Sequence, residues 1–416
     1  MRLIIHDYAG HAFTAQLARR LAEIGHNVLY ISFADFGTPK GRVDREERDP
    51  PAFRTRSIRG TVPFNKENLL MRWRAERAYA RMVCTVIEAE GADVILSTAP
   101  IEVQCRIQDL CKQKRIAFVA WVQDIHSEAI KSVLSRRAAV LGWSAGRYYR
   151  RLESRFLARS DRVIVISEDF RNVLSRGDWN IPLDAVEVIH NWANLDEIPL
   201  LPKENEWAKE HISSDGLPVI IYSGTLARKH DPSLIMEIAR NLPVAIFVFS
   251  EGAAVESLRS AGKMEGLNNL HVRPWIAQQD FPRMLAAADV ALAIIEQDAA
   301  TYSVPSKILS YMAAGKPIVA SIPHDNLAAI KIAEANAGLV SDPTDRPRLI
   351  DNLGKLLRDE GLRVQLGRNA RGYAESMFDV AEIAIRFEAI LMEASVKRSG
   401  TKDTRSYGRS KRESER

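Results

Sequence analysis

The feature that most constrains this chain is a rhythm. Short runs of β-branched and apolar residues recur, each followed by a longer stretch with helical spacing. Parallel strands need crossovers long enough to hold a helix, so the alternation reads as a series of βαβ units. In the first half strands are expected at 3–6, 28–32, 94–97, 117–122, 163–166 and 186–189. Between the first two, Phe13, Leu17, Leu21 and Ile24 recur at a spacing of three or four, which marks an amphipathic helix that Gly25 closes. The rhythm then restarts, with strands expected at 217–223, 244–250, 270–272, 290–295, 318–321 and 338–340.

A length of 416 residues suits two cores of roughly 150–200 residues each. The expected organisation is a Rossmann-like domain over 1–196, a linker over 197–216 and a second Rossmann-like domain over 217–377. A C-terminal helix over 378–396 is expected to return to the first domain, followed by a basic tail over 397–416 with no apolar residue but Tyr407. Two doubly wound parallel sheets of this kind place a cleft at the carboxyl ends of their strands. The stretch 35–66, rich in Pro, Gly and Arg and without periodicity, reads as a surface excursion.

The formal charge of +5 hides a division. Residues 1–200 carry 30 Lys and Arg against 25 Asp and Glu, whereas 201–396 carry 20 against 25. Cys84, Cys105 and Cys111 lack any metal-ligand or disulfide spacing and read as reduced, core-filling thiols, with no metal or other cofactor expected. The opening Met1–Asp7 has no long apolar run, and no stretch reaches the ~18–20 apolar residues of a membrane span. A cytoplasmic protein is the expectation.

Four stretches carry chemistry. Asp7-Tyr8-Ala9-Gly10-His11 forms a turn between the first strand and helix, where free backbone N–H groups suit an anion and where any βα unit also tolerates glycine. Gln123-Asp124-Ile125-His126-Ser127 follows the strand at 117–122; His126 suits a sugar hydroxyl with Asp124 orienting it, while helix capping by Asp124 or Ser127 explains the same residues. Gly224 through Asp231 ends the second domain's first strand, with Arg228 and Lys229 placing positive charge beside a glycine that permits close approach, as a diphosphate or a solvated basic turn would use it. Finally, Pro305 at a first helical position and Gly315 past the end bracket a helix whose amino terminus, with Ser306, Lys307 and Ser310, can hold phosphate oxygens.

The order of these segments resembles the GT-B glycosyltransferases, and within them the retaining group called family 4. Further phrases support the likeness over nearly the whole chain: Gly25-His26-Asn27-Val28, Ala158 through Glu168, Val188-Ile189-His190-Asn191-Trp192, Ala286-Ala287-Ala288-Asp289-Val290 and the Met312–Pro317 turn. Asp7–His11 together with Gly224–His230 is similar to a bacterial subgroup associated with surface polysaccharide assembly. The resemblance implies a nucleotide-sugar donor and a glycan or polyprenyl-linked acceptor. It further implies catalysis by stabilising the departing diphosphate rather than by a conventional nucleophile. Gly224, Arg228, Lys229, Ser306, Lys307 and Ser310 fit the donor side of such a reaction. His126, Asp124 and Lys229 are the implied catalytic set, with Asp7, Gly10 and His11 on the acceptor side. One departure stands out. Where the family carries two glutamates before the Met-Ala-x-Gly-x-Pro turn, this chain has Tyr302 and Ser310, so neither acidic role transfers, and Glu296 lies out of register. A non-catalytic sugar-nucleotide or polysaccharide binder and a nucleotide-sugar epimerase of the same fold remain as alternatives.

Two blocks of the first half are strongly basic. Residues 54–82 carry eight Lys and Arg against two acids, and residues 131–162 carry nine against two. Aromatic and apolar residues interleave them: Phe64, Leu69, Leu70, Met71 and Trp73 in one, Leu141, Trp143, Tyr148, Tyr149 and Phe156 in the other. Such blocks suit an anionic membrane surface, or else a solvated helix face packed on the first domain. The motifs of nucleic-acid binders are absent, and no nucleic-acid partner is expected.

Overall fold

The protein is described by a computed structural model over residues 1–37, 41–64, 68–135, 139–177, 179, 181–226, 232–295 and 306–399. The chain divides into two compact units. One comprises Met1–Thr38, Arg42–His190 and the chain from Val380 onward; the other is built of Asn191–Asp379.

The first unit holds β1 (Arg2–Asp7), α1 (Ala12–Glu23), β2 (Asn27–Phe33), β3 (Phe53–Ile58), α2 (Leu69–Glu90), β4 (Val94–Thr98) and α3 (Ile101–Lys114). It continues through β5 (Ala117–Val122), α4 (His126–Ser135), α5 (Ala139–Ala158), β6 (Arg162–Val165), α6 (Glu168–Leu174) and β7 (Val186–Val188). Its seven described strands lie in the order β3-β2-β1-β4-β5-β6-β7, all parallel. The middle strands β4 and β5 are buried along their whole length, as helices on both faces of a parallel sheet demand.

The second unit begins with α7 (Glu206–His211), β8 (Val219–Ser223), α8 (Pro232–Asn241), β9 (Ala245–Phe249), α9 (Ala253–Met264), β10 (Leu270–Arg273), α10 (Phe281–Ala286) and β11 (Val290–Ile294). After it come α11 (Ser306–Ala313), β12 (Ile318–Ser321), α12 (Leu327–Glu334), β13 (Gly338–Ser341), α13 (Arg346–Arg358) and α14 (Glu360–Met377). The sheet runs β10-β9-β8-β11-β12-β13, again wholly parallel. Outward from β8 the strands are added first on one side and then on the other, so a topological switch point falls between β8 and β11, where such folds bind ligands.

All twelve expected strands are present, and one more is not among them. β3 lies inside the stretch 35–66 expected to be an aperiodic excursion. It is an edge strand with only Phe53 and Ile58 buried, and its arginines point outward, where Arg54 pairs with Glu90 at 2.7 Å. The expected linker 197–216 also differs, since it belongs to the second unit. Asn205 caps α7 by accepting from Ala208 N at 3.0 Å, Trp207 is buried with its ring 6.0 Å from that of Phe249, and Lys203 pairs with Asp289 at 2.6 Å. The final helix, α15 (Val380–Ser399), packs in the first unit. There Glu388 meets His26 at 2.7 Å and the Phe387 ring lies 4.8 Å from Trp121. Lys397 and Arg398, expected in the tail, are still helical; residues 400–416 lie outside the described residues.

Candidate functional site

In the first unit the turn after β1 is organised by a buried carboxylate. Asp7 accepts from Ala9 N at 3.1 Å, from His11 N, from Thr14 Oγ1 and from Tyr30 OH at 3.1 Å, and it contacts His11 Nδ1 at 3.1 Å. Burial alone would raise its pKa, but the His11 charge and these hydrogen bonds outweigh it and hold Asp7 far below the usual carboxylate range. Gly10, at φ +74°, donates its N–H to Asp7 O at 3.2 Å. The expectation of free N–H groups for an anion therefore fails here: those of Ala9, Gly10 and His11 are already engaged by Asp7. Asp7 positions the turn, and His11, with 45% of its side chain exposed, is the member that can meet a ligand. Beneath it, His6 bonds Ser97 Oγ at 2.9 Å and Tyr79 OH at 3.0 Å, and burial lowers its pKa to about 4.

His126 starts α4. Glu153, reaching from α5, accepts from His126 N at 2.9 Å and Ser127 N at 3.0 Å, and one of its oxygens lies 3.5 Å from His126 Nδ1. This buried carboxylate satisfies two N–H groups of the helix amino terminus. Burial opposes a charged His126, but the Glu153 hydrogen bond and charge, with a smaller contribution from exposed Asp124, raise its pKa. Glu153 is lowered in turn: burial works against it and His126 prevails. Around the pair, Arg72 bonds Glu76 at 2.7 Å and Tyr149 OH donates to Glu102 at 2.8 Å. Burial is the main reason that the Glu76 pKa is raised, with Arg72 opposing. Sequence reasoning missed Glu76, Glu102 and Glu153. The available signal was that Glu76 sits on the inward stripe of α2 with Ala75, Tyr79 and Val83, where a carboxylate is costly unless paired.

The second unit presents a different surface at β8 and α11. Gly224 follows β8 at φ +114° and donates to Phe249 O at 3.1 Å. Lys307, in the first turn of α11, lays its ammonium 3.6 Å from the Tyr222 ring centre. A Cβ at Gly224 would sit at ordinary contact distance from Lys307, 3.4 Å from Cε and 3.5 Å from Nζ, so the lysine lies directly against the glycine. Tyr311, buried in the same helix, accepts from Ser223 N at 3.0 Å and ties α11 to the strand end. Ser306 is exposed, and Ser310, one turn later on the same side, is half-buried. Arg228 and Lys229 lie outside the described residues, as do Glu296 and Tyr302. Lys316, inside the Met312–Pro317 turn, donates to Ala286 O at 2.5 Å and Ala288 O at 3.1 Å; burial pulls its pKa down to about 8, and its role is to pin the turn.

Both units match families of sugar transferases. The family described as "Glycosyl transferase 4-like domain" matches residues 10–192, and "Glycosyl transferases group 1" matches residues 203–373.

The chain belongs to the GT-B glycosyltransferases.

This glycosyltransferase is 29% identical over 305 residues to the probable glycosyltransferase WbjE of Pseudomonas aeruginosa, covering 70% of this chain and 74% of that protein. It is 23% identical over 177 residues to the putative colanic acid biosynthesis glycosyl transferase WcaI of Escherichia coli K12, covering 42% of each. Among solved structures, HepE of Anabaena in complex with UDP-glucose superposes with a TM-score of 0.66 at 16% identity, covering 96% of this chain and 100% of that one. Among the described residues of the glycosyltransferase, no group of three or more His, Cys, Asp and Glu side chains is placed to hold a metal ion, and no helix is long and apolar enough to cross a membrane.

Proposed function

We propose that the enzyme transfers a hexosyl or N-acetylhexosaminyl group, with retention, from a UDP-sugar to a glycan or polyprenyl-linked acceptor during bacterial surface-polysaccharide assembly in the cytoplasm. The observation that carries the donor half is Lys307. Its ammonium stands on the Tyr222 ring beside the Gly224 turn, at the amino terminus of α11, where the peptide dipoles also favour negative charge. A diphosphate whose charge grows as the sugar departs is the ligand such a site suits, and Arg228 and Lys229 are proposed to add to it. The UDP-glucose complex of HepE supports UDP as the nucleotide, and WcaI supports the polysaccharide context. Retention rests on the resemblance to family 4. The acceptor half is assigned to His11 and His126, whose imidazoles can bond sugar hydroxyls, with Glu153 and Asp124 setting the charge of His126.

Purified protein incubated with a panel of UDP-sugars and polyprenyl-phosphate-linked glycan acceptors tests the reading through release of UDP. Transfer product with the anomeric configuration of the donor is the expected result; inversion of that configuration removes the retaining assignment. Ser310, standing where the family carries an acidic residue, favours one second reading, a sugar-nucleotide binder without transfer. In that case UDP-sugars raise the melting temperature but no acceptor releases UDP. Ser310→Glu tests that departure: tighter UDP binding is expected if the residue here faces the ribose hydroxyls, and lost activity if the pocket is built around the smaller side chain.

A further inference from the structure

α2 and α5 are longer than the sheet they flank. At 22 and 20 residues they run about 30 Å, against about 20 Å for strands of six residues. α2 enters from the carboxyl end of β3 and ends near the start of β4; α5 finishes just before β6. Their amino-terminal turns therefore project past the carboxyl ends of the strands, the end that carries His11 and His126. α4 runs back to back with α5 in that projection, on a seam of small residues. A Cβ at Gly142 would meet Ser135 backbone at 2.5 Å, and one at Gly146 would meet Lys131 Cβ at 2.9 Å. Glu102, in the first turn of α3, lies between the two projections: it bonds Tyr149 of α5 and its charge acts on Glu76 of α2.

The outward faces of these turns are apolar and cationic together. On α2, Leu70, Trp73, Arg74, Arg77 and Arg81 fall on one stripe by helical spacing, and all five are exposed. On α5, Trp143, Arg147, Tyr148 and Arg151 are exposed, while the acidic Glu153 points inward. Leu70 is 57% exposed, Trp143 62% and Tyr148 63%, which is far more than packing on the unit would leave. Arg77 lies over the Trp73 ring at 4.6 Å and Arg147 over the Trp143 ring at 5.9 Å. No acidic residue interrupts either stripe over these positions.

We infer that the projecting ends of α2 and α5 dock the first unit on an anionic bilayer surface, with Leu70, Trp73, Trp143 and Tyr148 entering the headgroup boundary and the arginines meeting lipid phosphates. Indole and phenol rings favour that boundary, and guanidinium groups stacked on them stay at headgroup depth. The inference deepens the lipid-linked acceptor reading, because the site end of the sheet then faces the surface from which such an acceptor is drawn. It is tested without donor or acceptor, so its failure and that of the transfer reading are distinguishable.

The experiment is sedimentation of the full chain with vesicles of phosphatidylcholine, alone or with one third phosphatidylglycerol. Wild type is expected to pellet only with the anionic vesicles and to be released by salt. Each basic residue at such a surface is worth about fivefold in partitioning, so R74E/R77E/R147E is expected to bind at least about 100-fold more weakly. W73A/W143A is expected to weaken binding while leaving its salt dependence unchanged. These positions are exposed, and circular dichroism and melting temperature check that each variant folds. Equal recovery of wild type in the supernatant with both vesicles overturns the inference, as does R74E/R77E/R147E binding like wild type. Tight retention of duplex DNA with W73A/W143A binding vesicles unchanged also overturns it, showing a general polyanion surface instead.

Discussion

The carboxyl ends of the two sheets solve opposite problems. In the first unit the polar groups are many, buried and paired with one another: Asp7 spends its oxygens on its own turn, and Glu153 is divided between a helix terminus and His126. In the second unit, Gly224, Ser306, Lys307 and Ser310 present small groups and a cation laid against an aromatic face. A network of mutually satisfied carboxylates and imidazoles fixes geometry, which suits an acceptor defined by the directions of its hydroxyls. A cation on a π face, beside a glycine that lets backbone approach, suits a ligand that brings its own negative charge. Under the proposed assignment, the difference teaches that the donor end offers charge and close backbone approach, whereas the acceptor end offers hydroxyl-directed polar groups already held in place.

Four substitutions sharpen or break that contrast. The largest effect is expected from Lys307→Ala, with a loss of about 10²–10³ in kcat, as for removal of one preorganised donor, and little change in melting temperature. Unchanged turnover in steady-state kinetics would leave the second unit without its assigned cation. Next, Glu153→Gln is expected to cost about 2–3 kcal/mol of stability, measured by urea unfolding, because a charged acceptor of two backbone N–H groups is lost. Its pH dependence is the more specific readout. The raised pKa of His126 stabilises the fold below its ordinary 6.5, and that contribution is lost as pH rises through the folded value. The depressed pKa of Glu153 contributes above its ordinary 4.5 and is lost as pH falls through the folded value. The pair therefore contributes most between pH 4.5 and 6.5, and the Glu153→Gln deficit should shrink, without vanishing, as pH rises through the folded value of His126, and shrink again as pH falls through that of Glu153. A deficit constant from pH 4 to 9 contradicts the ion pair.

Gly224→Ala follows. At φ +114° a Cβ is strained whatever the space, and the turn must shift to relieve it beside Lys307, so a cost of about 1–2 kcal/mol is expected together with a roughly tenfold fall in kcat. A stability loss with normal turnover would show that the lysine does not depend on the glycine. The smallest effect belongs to His11→Ala, expected to raise the acceptor KM by less than about tenfold while leaving UDP binding alone, since it removes one hydroxyl contact. A matching loss of UDP affinity would merge the two sites that the comparison separates.

The fold was legible where patterning was strong and obscure where charge masked it. β5, buried at every position, announces itself as an apolar run, whereas β3 hides because Arg54 and Arg56 interrupt a strand buried only at Phe53 and Ile58. α7 was overlooked because its six residues are polar apart from Trp207 and Ala208, the two that the second unit buries. Of the candidate site, the positions of Gly224, Lys307 and His126 at turns and strand ends were readable, since such ends are where ligands sit in these sheets. Glu76, Glu102 and Glu153 were not, because each is one acidic residue in an ordinary helix until tertiary packing turns it inward or toward a partner. Asp7 was readable as a position but not as a role: its sequence neighbours looked free to bind an anion, and only the folded turn shows them engaged by the carboxylate and the backbone carbonyl of Asp7.

Equilibrium titration of UDP into wild type, Lys307→Ala and His126→Ala tests the central claim most directly. With the donor held by the β8–α11 end of the second unit, Lys307→Ala should weaken UDP binding by at least about tenfold, the worth of one charge-assisted contact, while His126→Ala binds like wild type. Equal affinity for wild type and Lys307→Ala, or a loss of the same size in His126→Ala, would contradict it.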